Sequence, residues 1–130
     1  MPIQKILYAS ATLAATYDAD PTATTAGVSI PGPATGATVT VGYTRVSGQA
    51  GGQASHKLFT MSPDGLWGQM LGTDDTYNPQ AGRASVADGI FYYTLAIPRL
   101  PPGAVRLAIC NAETGNAAHP GTIIASVSFA

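Results

Sequence analysis

Apolar and polar residues alternate with a period of two along most of the chain. Leu7, Ala9, Ala11 and Leu13 fall on one side of an N-terminal segment, with Tyr8, Ser10 and Thr12 on the other. That is the signature of a half-buried strand. Val28 and Ile30 flank Ser29 in a short strand stopped by Pro31-Gly32-Pro33. Val39, Val41 and Tyr43 then face one way and Thr38, Thr40 and Thr44 the other; β-branched residues on both faces suit a pleated strand. Lys57 to Met61 forms a further strand, closed by the turn Ser62-Pro63-Asp64-Gly65, and Leu66 to Leu71 a weaker one around Trp67.

The last third has the cleanest alternation. Phe91, Tyr93, Leu95 and Ile97 oppose Tyr92, Thr94 and Ala96. Pro101-Pro102-Gly103 turns the chain into Val105, Leu107 and Ile109, which alternate with Arg106, Ala108 and Cys110. Ile123, Ala125, Val127 and Phe129 alternate with Ile124, Ser126 and Ser128. The pattern therefore predicts a core of Phe91, Tyr93, Leu95, Ile97, Val105, Leu107, Ile109, Val127 and Phe129. Segments 18–27, 47–55, 72–89 and 111–121 read as loops rich in Gly, Pro and small polar residues. No stretch carries a helical repeat. The expectation is one all-β domain over 1–130, a single β-sandwich of about seven or eight strands with Ig-like or jelly-roll topology.

Composition narrows the functional classes. The chain has 130 residues, enough for one core. Alanine supplies 22 of them, and only 10% are charged. A coiled coil needs many Glu and Lys, and Glu113 is the only glutamate. The six basic residues (Lys5, Arg45, Lys57, Arg83, Arg99 and Arg106) are scattered and the net charge is −1, so no nucleic-acid partner is expected. No apolar run is long enough to span a bilayer, so no membrane partner is expected either. The run around Ile6 and Leu7 is broken by Ser10 and Thr12, so a cleaved leader is not expected.

Candidate chemistry is sparse. His56 and His119 are isolated and read as surface or loop histidines, with no metal-ligand spacing around them. Asp18, Asp20, Asp74 and Asp75 read as solvated loop acids rather than calcium ligands. No Gly-x-Ser-x-Gly elbow, carboxylate pair or phosphate cradle is present. Cys110, the only cysteine, reads as a small, partly buried strand residue. No catalytic residue, metal site or cofactor is expected, and the chain is not expected to be an enzyme. Trp67, Tyr77, Tyr92 and Tyr8 are the aromatics that could stack on a sugar.

Two stretches carry a resemblance. Pro101 to Asn116 resembles the strand and turn near the end of bacterial immunoglobulin-like domains, and Ser62 to Trp67 resembles their earlier turn. In size, composition and architecture the chain is similar to the small β-rich decoration, or cement, proteins of tailed bacteriophage capsids. That resemblance implies a structural virion protein that binds and stabilises the shell. Its partner would be the major capsid protein or another virion subunit, with the chain itself a homo-oligomer. The residues point the same way. Outward strand positions are Thr, Ser and Ala, with little of the charge that keeps a free monomer soluble. Ile6, Tyr8, Tyr92 and Ile124 stand where a solvated strand would carry charge, and are the expected partner contacts. The alternative expectation is an extracellular carbohydrate-binding or adhesion module.

Overall fold

The computed structural model describes residues 3–70 and 88–130. Eight strands and no helix are found among them: β1 (Ile3–Thr12), β2 (Val28–Ser29), β3 (Ala37–Thr44), β4 (Ala54–Met61), β5 (Trp67–Gln69), β6 (Ile90–Ile97), β7 (Arg106–Glu113) and β8 (Thr122–Phe129). They form two four-stranded sheets in the orders β1-β8-β3-β6 and β2-β7-β4-β5, and every pairing is antiparallel. The nesting is regular: β4 pairs with β5, β3 with β6, β2 with β7 and β1 with β8. A long ribbon has been rolled over on itself, which is the jelly-roll order and not the immunoglobulin one.

The core lies between the sheets. Val39, Val41, Leu95, Ile97, Ile123, Ala125, Val127 and Phe129 of one inner face meet Ala54, Leu58, Leu107 and Ile109 of the other. Full burial of such a side chain contributes about 1.5–3 kcal/mol. Phe91 and Tyr93 are half-buried, at the end of the sheet where β6 begins. Val105 departs from the expectation and is 37% exposed. It precedes β7 and lines a cleft that Pro63 and Pro101 also border. Its amide donates to Met61 O and its carbonyl accepts from Ile30, so it extends the ladder without reaching the core.

The N-terminal strand also departs from simple alternation. Its register with β8 shifts between Ile6 and Tyr8 and again between Tyr8 and Ala11. A bulge of this kind turns successive side chains off their alternating faces. Leu7 is buried, Ala9 is exposed, and half-buried Tyr8 packs against the core. Ile6 and Tyr8 therefore do not share a face.

The long connection from β1 to β2 is structural. It lies along β7 and over the outer face of the second sheet. Glu113 N donates to Ala14 O, Asp18 N to Asn111 O, and Cys110 Sγ to Ala19 O. Trp67 Nε1 donates to Ala23 O, and Lys57 Nζ sits 4.2 Å above the Tyr17 ring. Beneath it Phe59, Ala108 and Cys110 form a small second core with Trp67. The Arg106 guanidinium closes the connection by donating to the carbonyls of Thr25, Ala26 and Gly27. Gly27 has φ +64, and a Cβ there would stand 2.1 Å from Leu107 O, so only glycine fits.

Candidate functional site

Two buried polar clusters occupy one end of the sandwich, where β3, β4, β6 and β7 meet. The first centres on Glu113, which is 1% exposed. Tyr43 Oη and Gly121 N donate to its Oε1 at 2.6 and 2.9 Å. Gln53 N, Gly115 N and Asn116 N donate to Oε2 at 2.8, 3.0 and 3.1 Å. Burial alone would raise the carboxyl pKa; the donated hydrogen bonds outweigh it and hold the group below the usual carboxylate range. The Tyr43 phenol, pushed up by burial and then by its bond to Glu113, stays protonated. Glycine makes room for it: a Cβ on Gly52 would lie 2.0 Å from Tyr43 Oη, and one on Gly121 2.6 Å from its ring. A carboxylate so fully bonded and so deep is a fastener for the 45–53 and 114–121 loops, not a general acid.

The second cluster corrects the reading of His56 as a surface or loop histidine. Its side chain is 0% exposed, because His56 shares the inner face of β4 with Ala54 and Leu58. Asn111, opposite it on β7, turns its Oδ1 to His56 Nδ1, and Tyr93 Oη lies 2.6 Å from Nε2. Nδ1 therefore carries the proton and Nε2 accepts from the phenol. Desolvation lowers the imidazole pKa to about 4, so the ring is neutral at pH 7. Asn111 Nδ2 is buried without a hydrogen-bond partner. Asn111 and Glu113, polar residues of the expected 111–121 loop, instead continue the inner face of Leu107 and Ile109, and β7 runs through both.

Among the described residues no three His, Cys, Asp or Glu side chains converge as a metal-binding group. Asp18 accepts from Asn111 N and packs near half-buried Tyr8, whose phenol pKa is raised by burial and then by that carboxylate. Asp74, Asp75, Tyr77 and Arg83 lie outside the described residues, as does most of the expected loop at 72–89. Trp67 stands on the outer face of the second sheet, half-buried against Phe59, while Tyr92 stands on the outer face of the first. Trp67 and Tyr92 therefore do not share a face.

The more distinctive surface is the outer face of the β1-β8-β3-β6 sheet. Along β3 it presents Thr38, Thr40, Gly42 and Thr44, and along β8 Thr122, Ile124, Ser126 and Ser128. Along β6 it presents Ile90, Tyr92, Thr94 and Ala96, and on β1 Gln4 and Ile6 stand opposite Ser128 and Ser126. None of these positions is charged. Lys5 points the other way and donates to Ser29 O across the sandwich edge. Four of the chain's exposed large apolar side chains are here: Ile6 at 60%, Ile90 at 54%, Tyr92 at 61% and Ile124 at 38%. Gly42 separates Tyr92 from Ile124 in the register; a Cβ on it would meet Tyr92 Cε1 at 2.9 Å, Ile90 Cγ2 at 3.2 Å and Ile124 Cγ2 at 3.3 Å. The three side chains thus form one apolar band across β6, β3 and β8. Of the four expected contacts, the fold brings Tyr92 and Ile124 together, sets Ile6 on the same face, and turns Tyr8 away. Ile90 belongs with them, and its spacing two residues before Tyr92 was the available signal. Compared with known proteins, the chain matches no family model, no curated protein and no solved structure.

Proposed function

We propose that this chain is a structural assembly protein, most concretely a decoration protein of a virion, built to be held in a permanent protein interface. The observation that carries the reading is the contrast between the two outer sheet faces. The chain lays its own 13–27 connection over one of them, and among the described residues nothing covers the other, with its apolar band and no charge. Monomers rarely leave a contiguous apolar patch open, and such patches mark interaction sites. Ser, Thr and Ala around the band have little side-chain entropy to lose on docking. Jelly rolls serve as capsid and lectin domains alike, so the fold supports the reading by analogy alone. The carbohydrate-binding alternative is left with Tyr92 and Trp67 on opposite faces, which disfavours a multi-ring platform.

The test is co-sedimentation with the particles of its source, comparing the wild type with Thr94→Glu on the uncovered face. Pelleting of the wild type with the particles and loss of pelleting in the variant support the reading. A chain that pellets with no particle, and instead binds a glycan array through Tyr92 or Trp67, replaces it with the carbohydrate-binding one.

A further inference from the structure

The uncovered face also points to what covers it. We infer that it is the interface between two copies of this chain, packed sheet on sheet about a two-fold axis. This rests on the reading of the face as an assembly surface and names its occupant. Three observations favour a second copy.

The first is chemical. Without charge, the face has nothing to recognise a polyanion, an acidic peptide or a charged lipid surface. What it does carry is self-complementary. Its polar groups are almost all hydroxyls, which donate or accept as required, so like can face like across a symmetry axis.

The second is geometric. An axis running along β3 through Gly42 exchanges β8 with β6, because both pair with β3 in continuous register. It sets Ile124 of each copy over Tyr92 of the other, and Ser126 over Thr94. The apolar band is thereby laid on itself, in two equivalent contacts. Such an axis also keeps the strand direction. The two proline-lined ends, where Pro31, Pro63, Pro101 and Pro102 border a cleft of about 570 Å³, then lie side by side.

The third is size. The axis on β3 overlaps β8, β3 and β6 and leaves β1 outside, so with strands about 4.8 Å apart and residues at about 3.4 Å the shared face is roughly 14 by 27 Å. That is roughly 400 Å² in projection, and side-chain relief brings the accessible area to the lower end of specific interfaces.

The experiment is sedimentation equilibrium on the purified chain, with Thr94→Glu and Ser126→Lys made separately and their folding checked by circular dichroism and melting temperature. The wild type is expected to be a dimer. Each variant is expected to fold but to dissociate, with a dissociation constant raised roughly a hundredfold by the buried charge. Mixing the two variants is expected to restore the dimer, since the axis places each new charge over its opposite. A wild type that stays monomeric, a Thr94→Glu chain as dimeric as the wild type, or a mixture that fails to re-associate overturns the inference. A monomer that nonetheless pellets with particles, and loses this in Thr94→Glu, overturns the second copy while keeping the assembly reading. A dimer that obeys the charge swap but pellets with no particle keeps the second copy and removes the virion role.

Discussion

Tyr43 donates its hydroxyl hydrogen to Glu113 Oε1 at 2.6 Å, joining β3 to the end of β7 across 70 residues of sequence and from one sheet to the other. The pair is the polar clasp of an otherwise apolar interior. Its two variants should differ in severity. Tyr43→Phe removes one donor and leaves the carboxylate its backbone amides, at about 1–3 kcal/mol. Glu113→Gln turns an amide NH₂ toward groups that are mostly donors, leaves at least one buried backbone N–H unpaired, and should cost roughly 3 kcal/mol or more. Urea unfolding of the two variants measures both; a Glu113→Gln chain as stable as Tyr43→Phe would mean that the loops do not depend on the carboxylate.

His56 gives the fold an acid limit. Its folded pKa of about 4 lies below the ordinary 6.5, so the unfolded chain takes up the proton first. Stability is therefore unaffected by this group above pH 6.5 and falls as the pH drops from 6.5 toward 4, by roughly 3 kcal/mol in all. Glu113, whose carboxyl is also held low, adds to the loss only as the pH falls through the carboxylate range. Melting temperatures between pH 7 and 4 should show the decline, and His56→Gln should flatten its upper part whatever that variant's stability at pH 7.

Cys110 should behave as an inert thiol. Burial, with Asp18 and Asp20 behind it, raises its pKa to about 11, and Ala19 O caps its sulfur. At pH 8 a thiol reagent such as dithiobis-nitrobenzoate should label the native chain far more slowly than the urea-unfolded one. Labelling at the rate of a free thiol would show that the 13–27 connection does not stay on the sheet.

The two ends of one alternating run should respond differently to truncation. Leu107 is 0% exposed between the sheets, and Leu107→Ala should cost about 2–5 kcal/mol through the cavity it leaves. Val105, two residues earlier and 37% exposed, should lose less than about 1 kcal/mol on change to alanine. Equal losses would place Val105 in the core after all.

Strand existence was legible because alternation is local. Leu95, Ile97, Leu107, Ile109, Val127 and Phe129 are buried as their spacing implies. The polar interior was not legible, although parity held the clue: His56 is two residues before Leu58, and Asn111 and Glu113 follow Ile109 by two and four. A polar residue at an inward position reads as a strand end unless its partner is known, and the partners here lie on other strands. Tyr8 was misplaced by a bulge, which sequence period cannot reveal. The charge-free outer face was visible strand by strand. Its continuity, with Gly42 between Tyr92 and Ile124, exists only once β6, β3 and β8 are set side by side.

The rolled ribbon also dictates an order of assembly in time. Among the described strands only the β4–β5 hairpin, closed by the Ser62–Gly65 turn, joins neighbours in sequence; each pairing outward from it bridges a longer stretch of chain, ending with β1 on β8. Loop closure must precede the contacts that reward it, so a fold with such high contact order forms slowly. On a ribosome β1 is made before the other described strands and waits for β8. Until then Leu7 lacks its cover and the β1 edge its partner, so the newly made domain is most vulnerable to wrong pairing at β1.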